Sequence, residues 1–192
     1  PDLSCDGISF RLGQLGAHQA RNAALVWAVA RALSLDLDRV ARALEGITIP
    51  AGRGEMRDHG RLTILNDSYN ANPASFAALI DLVAAMRGGR RLVFVAGTMR
   101  ELGPDAAQWH AEVAARLAVL NPELVAAVGE FVPALEHHRE ALGHRLLVAP
   151  DAVTMGPQLA ARLSGDELVV LKGSRGVALE RVIPDLLARV GT

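Results

Sequence analysis

The sequence predicts an α/β fold, a Rossmann-like and mostly parallel sheet with helices on both faces, preceded by a shorter, mainly helical segment. Three observations predict it. Short runs rich in Val, Leu and Ile alternate with longer amphipathic stretches from residue 62 onward, the pattern of strands buried on both faces and separated by covering helices. Hydrophobic residues make up 51% of the chain but aromatic ones only 4%, so the core is built from Ala, Leu and Val, which suits helices laid on a parallel sheet. Pro50, Gly52 and Gly54 interrupt the pattern with linker chemistry and divide the chain into segments 1–50 and 51–192.

Residues 1 to about 15 mix Gly7 and Gly13 with short apolar stretches and read as strand and loop. From Gly16 to Leu35 the pattern is helical and Ala-rich, with His18 and Asn22 one turn apart on the same face. A second short helix spans Asp36 to Leu44, with Asp36 as N-cap and Gly46 ending it. In the second segment, strands are expected at 62–65, 92–96, 124–128, 145–148 and 168–171. Helices are expected at 73–86, opened by Pro73 in its first turn, and at 105–120, 132–142, 152–163 and 177–190.

Composition narrows the function classes. A formal charge of -1 gives no global attraction to nucleic acid or to an anionic membrane. Cys5 is the single cysteine, so no internal disulfide forms, and a reducing compartment is expected. No apolar run approaches the ~20 residues of a membrane span, and no signal-peptide pattern opens the chain, which points to a soluble cytoplasmic protein. The G-x-G-x-x-G fingerprint is absent, which argues against a nicotinamide-dependent oxidoreductase, and no phosphate-binding G-x-x-x-x-G-K-[ST] loop occurs.

Candidate chemistry gathers at strand ends. Asn66-Asp67-Ser68-Tyr69-Asn70-Ala71-Asn72-Pro73 packs polar side chains into the turn between an apolar strand and a helix, the edge at which open α/β sheets dock ligands. A carboxylate there, Asp67, is suited to a ribose diol, while Asn72 also fits a helix cap. Arg53 offers a permanent charge and a bidentate fork for phosphate or carboxylate. Lys172-Gly173-Ser174-Arg175-Gly176 places two cations and two glycines between a strand and a helix start, an arrangement that suits an anion. Glu101 and His110 follow the second strand as contacts either to substrate or to the fold. His59 has no motif around it and reads as a surface residue. Cys5 lacks an activating context, and His18 has no second metal ligand at suitable spacing, so neither a catalytic residue nor a metal site is assigned.

These motifs, with Arg53-Gly54-Glu55-Met56 upstream and Glu101-Leu102-Gly103 in the middle, occur in the order and at the spacing of the Mur ligase family. The chain resembles the C-terminal part of that family, in the branch that joins D-alanyl-D-alanine to UDP-N-acetylmuramoyl-tripeptide in peptidoglycan synthesis. The resemblance implies that residues 1–50 end a central ATP-binding domain and that residues 51–192 form the C-terminal domain. It implies an ATP-dependent carbon-nitrogen ligase using ATP and Mg2+, both held mainly by an upstream domain, and working through an acyl phosphate. Asn22, Arg53 and Asp67 would contact ATP; Ser68, Tyr69, Asn70 and Asn72 would form the active-site loop; Lys172, Ser174, Arg175, Glu101 and His110 would contact substrate. The partners implied are small molecules, without nucleic acid or membrane insertion, and the protein is expected to be a monomer, inactive as this chain alone. Gln19 stands where the family has asparagine, and Thr98 where it has aspartate. Another Mur-type or folylpolyglutamate-type ligase and a non-catalytic module of ligase-like fold are the alternatives.

Overall fold

The computed structural model describes residues 2–13, 17–48 and 50–190. The chain divides into two compact units, Pro1–Pro50 and Ala51–Thr192.

The first unit opens with an antiparallel hairpin of β1 (Asp2–Cys5) and β2 (Ile8–Arg11), turned by Asp6 and Gly7 with φ of 49° and 81°. Positive φ at both turn residues matches the right-handed twist of the strands, and Asp-Gly is a common solution. Helix α1 (Ala17–Ala32) and helix α2 (Leu37–Glu45) complete the unit around Phe10, Leu12, Ala23, Trp27, Ala41 and Leu44. Phe10 stacks on Trp27 at 5.3 Å between centroids, and the Trp27 indole donates to Asp6 Oδ2 at 3.0 Å. α1 stops at Ala32 because Ser34 turns left-handed (φ 54°), which lets the Leu35 N–H reach the Ala30 carbonyl at 3.0 Å. Asp36 caps α2 by accepting from the Arg39 N–H at 3.1 Å. The expected helix start at Gly16 lies outside the described residues.

The second unit is a six-stranded sheet of order β3-β4-β8-β5-β6-β7, formed by β3 (Glu55–His59), β4 (Leu62–Asp67), β5 (Leu92–Gly97), β6 (Leu124–Val128), β7 (Leu146–Ala149) and β8 (Leu168–Lys172). All neighbours are parallel except β3, which runs antiparallel to β4. Alternate residues feed two cores, as the period of a strand requires. Leu92, Phe94 and Ala96 pack with α3 (Pro73–Met86), α4 (Ala106–Leu120) and α5 (Phe131–Glu136), whereas Val93 and Val95 pack with α7 (Ala152–Ala160) and α8 (Ile183–Val190). The expected mostly parallel sheet with helices on both faces is therefore present.

Three elements differ from expectation. β3 has no apolar alternation to announce it: Glu-Met-Arg-Asp-His is an edge strand, where charged side chains hinder pairing with another chain. His59, expected at the surface, is half-buried there. The helix expected over 132–142 breaks at His137 and His138 into α5 and α6 (Arg139–Leu142). The helix expected from Val177 is replaced by two 3₁₀ turns, Arg175–Val177 and Leu179–Val182, with α8 starting only at Ile183. Ala178 between them has φ 56°, and the resulting bend drops Leu179 and Val182 fully into the core.

Candidate functional site

The carboxyl ends of β4, β8 and β5 lie side by side, so the turns that follow them share one edge of the sheet. Register places Asp67 opposite Lys172, and Lys172 opposite Ala96, although Asp67 and Lys172 are 105 residues apart in sequence. The Lys172 side chain is 1% exposed and its Nζ donates to Asp67 Oδ2 at 2.5 Å and to the Asn70 carbonyl at 3.2 Å. It also lies 5.5 Å from the Phe76 ring centroid. Burial pushes the Lys172 ammonium below its ordinary value of 10.5, while the charge of and hydrogen bond from Asp67 oppose that shift. Asp67 remains 25% exposed at the sheet edge.

The turn after β4 is folded by its own amides. Asn66 Oδ1 accepts from the Ser68 N–H at 3.2 Å and from the Ser68 hydroxyl at 2.6 Å, which turns that hydroxyl inward. Asn70 Oδ1 accepts from the Ala71 N–H at 2.9 Å. Asn72 caps α3 by accepting from the Ser75 N–H at 2.8 Å while its own N–H donates to Ser75 Oγ at 3.0 Å, a reciprocal capping box. Tyr69 is exposed, and the Arg53 guanidinium lies over its ring at 4.1 Å. That stack depends on Gly52, whose φ is 76° and whose carbonyl accepts from the Tyr69 N–H at 2.9 Å. A Cβ there would sit 3.3 Å from that nitrogen.

The loops after β5, β6 and β8 are stitched together. Thr98 Oγ1 accepts from the Glu130 N–H and the Thr98 carbonyl from the Ser174 N–H, each at 3.0 Å. Ser174 is buried and its Oγ accepts from the Arg100 N–H at 2.9 Å. Gly173 permits the close approach: a Cβ on it would lie 3.2 Å from Gly97 Cα and 3.0 Å from Leu179 Cδ1. Glu101, exposed at the loop tip, is held at φ 65°.

His110 is 1% exposed, so the expectation of a substrate contact there is corrected to a role in packing. Its Nε2 faces the Met99 N–H at 2.9 Å, and its Nδ1 faces the Ala106 carbonyl at 2.7 Å. An N–H can only donate and a carbonyl only accept, so Nδ1 carries the proton and the ring is neutral. It ties the loop after β5 to α4. Lys172 likewise does not face an open anion site, because its ammonium is enclosed with Asp67. Arg175 is exposed and pairs with Glu180 Oε1 at 2.9 Å. Arg100, absent from the expected set, sends its Nη2 to the Gly176 carbonyl at 3.3 Å and so supplies a further cation beside that loop. An isolated arginine in a loop carries no periodic signal that would have singled it out. In the first unit, Asn22 is exposed and its amide donates to Gln19 Oε1 at 3.2 Å. The His18 side chain is outside the described residues.

The geometry thus offers an exposed arginine stacked on a tyrosine, a carboxylate backed by a buried lysine, and a glycine-rich loop, all at the carboxyl edge of a parallel sheet. Residues 52–175 match the model of the Mur ligase, glutamate ligase domain. The chain belongs to the Mur ligase family. Among curated Mur ligases it is similar to the UDP-N-acetylmuramoyl-tripeptide--D-alanyl-D-alanine ligase of Treponema pallidum, with 35% identity over 173 residues, 88% of this chain and 37% of that protein. The Synechocystis enzyme of the same name is 32% identical over 194 residues, 97% of this chain and 41% of that protein. MurF from Acinetobacter baumannii superposes with a TM-score of 0.81 at 26% identity, covering 94% of this chain and 40% of its own. MurF ligase from Thermotoga maritima, solved in complex with ADP, gives 0.75 at 26% identity, covering 96% and 41%. The chain therefore spans about two fifths of the length of these Mur ligases.

Proposed function

We propose that this chain is the C-terminal part of a cytoplasmic, monomeric, ATP-dependent ligase that adds D-alanyl-D-alanine to UDP-N-acetylmuramoyl-tripeptide, through an acyl phosphate, in peptidoglycan synthesis. The observation that carries the reading is the strand-end turn from Asn66 to Pro73, where Asp67 and the Arg53–Tyr69 stack sit together at the carboxyl edge of the sheet. The similarity to two ligases of that name over 88% and 97% of the chain supports it. On this reading residues 1–50 end a central ATP-binding domain. The apolar face of α1, with Leu25, Val26 and Val29 exposed and Leu33 just beyond its end, supports that assignment, since contiguous exposed apolar surface marks an interface.

The residues present fit a nucleotide. Asp67 can accept from the ribose hydroxyls, and Arg53 can reach phosphate as a charged fork. ATP supplies the phosphoryl group that activates the tripeptide carboxylate. Orientation and charge neutralisation dominate chemistry of that kind. Asn22, taken by itself, carries an exposed amide whose donor and acceptor suit an adenine edge. Ser68 and Asn70 shape the turn that presents Tyr69. Arg175 and Glu101 are the residues left to face the incoming dipeptide or the growing peptide, while the buried Ser174 ties their two loops together. Among the described residues no three His, Cys, Asp or Glu side chains converge as metal ligands would.

The test is amide formation by the protein that carries this chain, with ATP, Mg2+ and UDP-N-acetylmuramoyl-tripeptide. D-alanyl-D-alanine should compete out single amino acids and glutamate as acceptor, and Arg175→Ala should raise the KM for the dipeptide. Preference for a single amino acid would assign the chain to another Mur-type or folylpolyglutamate-type ligase. Absence of ATP-dependent amide formation would leave a binding module.

A further inference from the structure

We infer that Lys172 is a positioning residue for the nucleotide, acting through Asp67. The inference rests on the reading of Asp67 as the ribose contact. Lys172 is the last residue of β8, in register with Asp67 at the end of β4, and its 1% exposure leaves it no route to a ligand of its own. Its ammonium is held by Asp67 Oδ2 at 2.5 Å, the Asn70 carbonyl at 3.2 Å and the face of Phe76 at 5.5 Å. Those three contacts come from a strand, a turn and a helix, so the ammonium is fixed in place and fixes the carboxylate.

Two consequences follow for a ligand at the sheet edge. Asp67 has one oxygen anchored and the other, Oδ1, without a hydrogen-bond donor among the described residues, so a single acceptor is presented in a set direction. Charge is the second. A bare carboxylate beside a triphosphate would repel it, whereas a carboxylate neutralised from behind by a buried ammonium accepts a hydroxyl without adding net negative charge. The side chain that would be expected to meet the anion instead makes an acidic ribose acceptor compatible with a polyanion. The turn gains as well, because the same ammonium holds the Asn70 carbonyl and with it the segment that presents Tyr69.

The test uses the protein that carries this chain, with Asp67→Asn, Lys172→Met and the double variant, assayed with ATP, 2′-deoxy-ATP and 3′-deoxy-ATP. Lys172→Met should raise the KM for ATP about tenfold, the worth of one charge-assisted hydrogen bond, with kcat changed less than about twofold. It should also shrink the preference for ATP over the deoxynucleotides toward that of Asp67→Asn, and the double variant should be no worse than the poorer single one. Lys172→Gln, which keeps an N–H donor in the same place, should recover part of the preference, and it supplies the comparison if the methionine variant does not fold. Wild-type discrimination in Lys172→Met beside lost discrimination in Asp67→Asn would overturn the inference and leave the ribose reading standing. A fall in kcat with unchanged KM and discrimination would also overturn it, in favour of a purely structural lysine. Unaltered discrimination in Asp67→Asn would remove the ribose reading itself, and the inference with it.

Discussion

Replacing Asp67 by asparagine isolates the charge of the buried pair, because the side chain keeps its shape while Lys172 loses its counter-ion. The ammonium is then left 1% exposed among neutral partners alone, the new amide oxygen, the Asn70 carbonyl and the Phe76 face. Removing one member of a buried ion pair costs ~3–5 kcal/mol. The lysine can escape by releasing its proton, at about 1.36 kcal/mol for each pH unit below its ordinary value of 10.5. That escape costs more than about 4 kcal/mol at pH 7 but only about 2 kcal/mol at pH 9. Asp67→Asn should therefore destabilise the protein by ~3–4 kcal/mol at pH 7 and by no more than about 2 kcal/mol at pH 9. Burial lowers the folded-state value of Lys172 below its unfolded one, so between the two the unfolded chain holds more protons and stability rises with pH. Loss of Asp67 removes the opposing pull, so the rise is steeper in the variant. Lys172→Met leaves instead a carboxylate that is 25% exposed and can keep part of its hydration. Its cost should be smaller, about 1–2 kcal/mol, and nearly flat from pH 6 to 9. Urea unfolding at pH 7, 8 and 9 measures both. A pH-independent penalty in Asp67→Asn, or a larger one in Lys172→Met, would refute the reasoning.

Three further outcomes are expected. His110→Phe keeps the ring that packs on Phe131 but strands the buried Met99 N–H, so equilibrium unfolding should show a loss of ~1–3 kcal/mol. Asn72→Ala should cost about 1 kcal/mol through its capping box while leaving the KM of every substrate unchanged, because its amide is spent on α3; a kinetic effect larger than its stability effect would return it to the active-site set. Tyr69→Ala should raise the KM for ATP through loss of the Arg53 stack, worth about 0.5–1 kcal/mol at an exposed site, whereas Tyr69→Phe should match the wild type.

The alternation of apolar runs and helical stretches was enough to place five of the six sheet strands of the second unit within a residue or two, because strands buried on both faces must be apolar along their whole length. The sixth, β3, escaped because an edge strand has no such requirement. The continuous helix expected from Val177 failed for a different reason. Residues 177–190 have helical composition, but packing against Gly97 and Gly173 favours a bend at Ala178 that local propensity does not encode.

The turns and their caps were determined locally. Asn72 before Pro73, Asp36 before α2 and Asp-Gly at the hairpin act over three or four residues, within the reach of sequence alone. Which polar side chains remain available to a ligand was decided only by the tertiary structure. Lys172 and Arg175 look alike as loop cations, yet parallel pairing of β4 with β8 places Lys172 against an aspartate 105 residues away and buries it, while Arg175 stays exposed beyond the strand end. His110 reads as chemistry until α4 packs it beneath the loop after β5, where two backbone groups take both ring nitrogens. A residue's type sets what it can bind, but the availability of its charge or lone pair depends on neighbours brought by the sheet order, which no local spacing specifies.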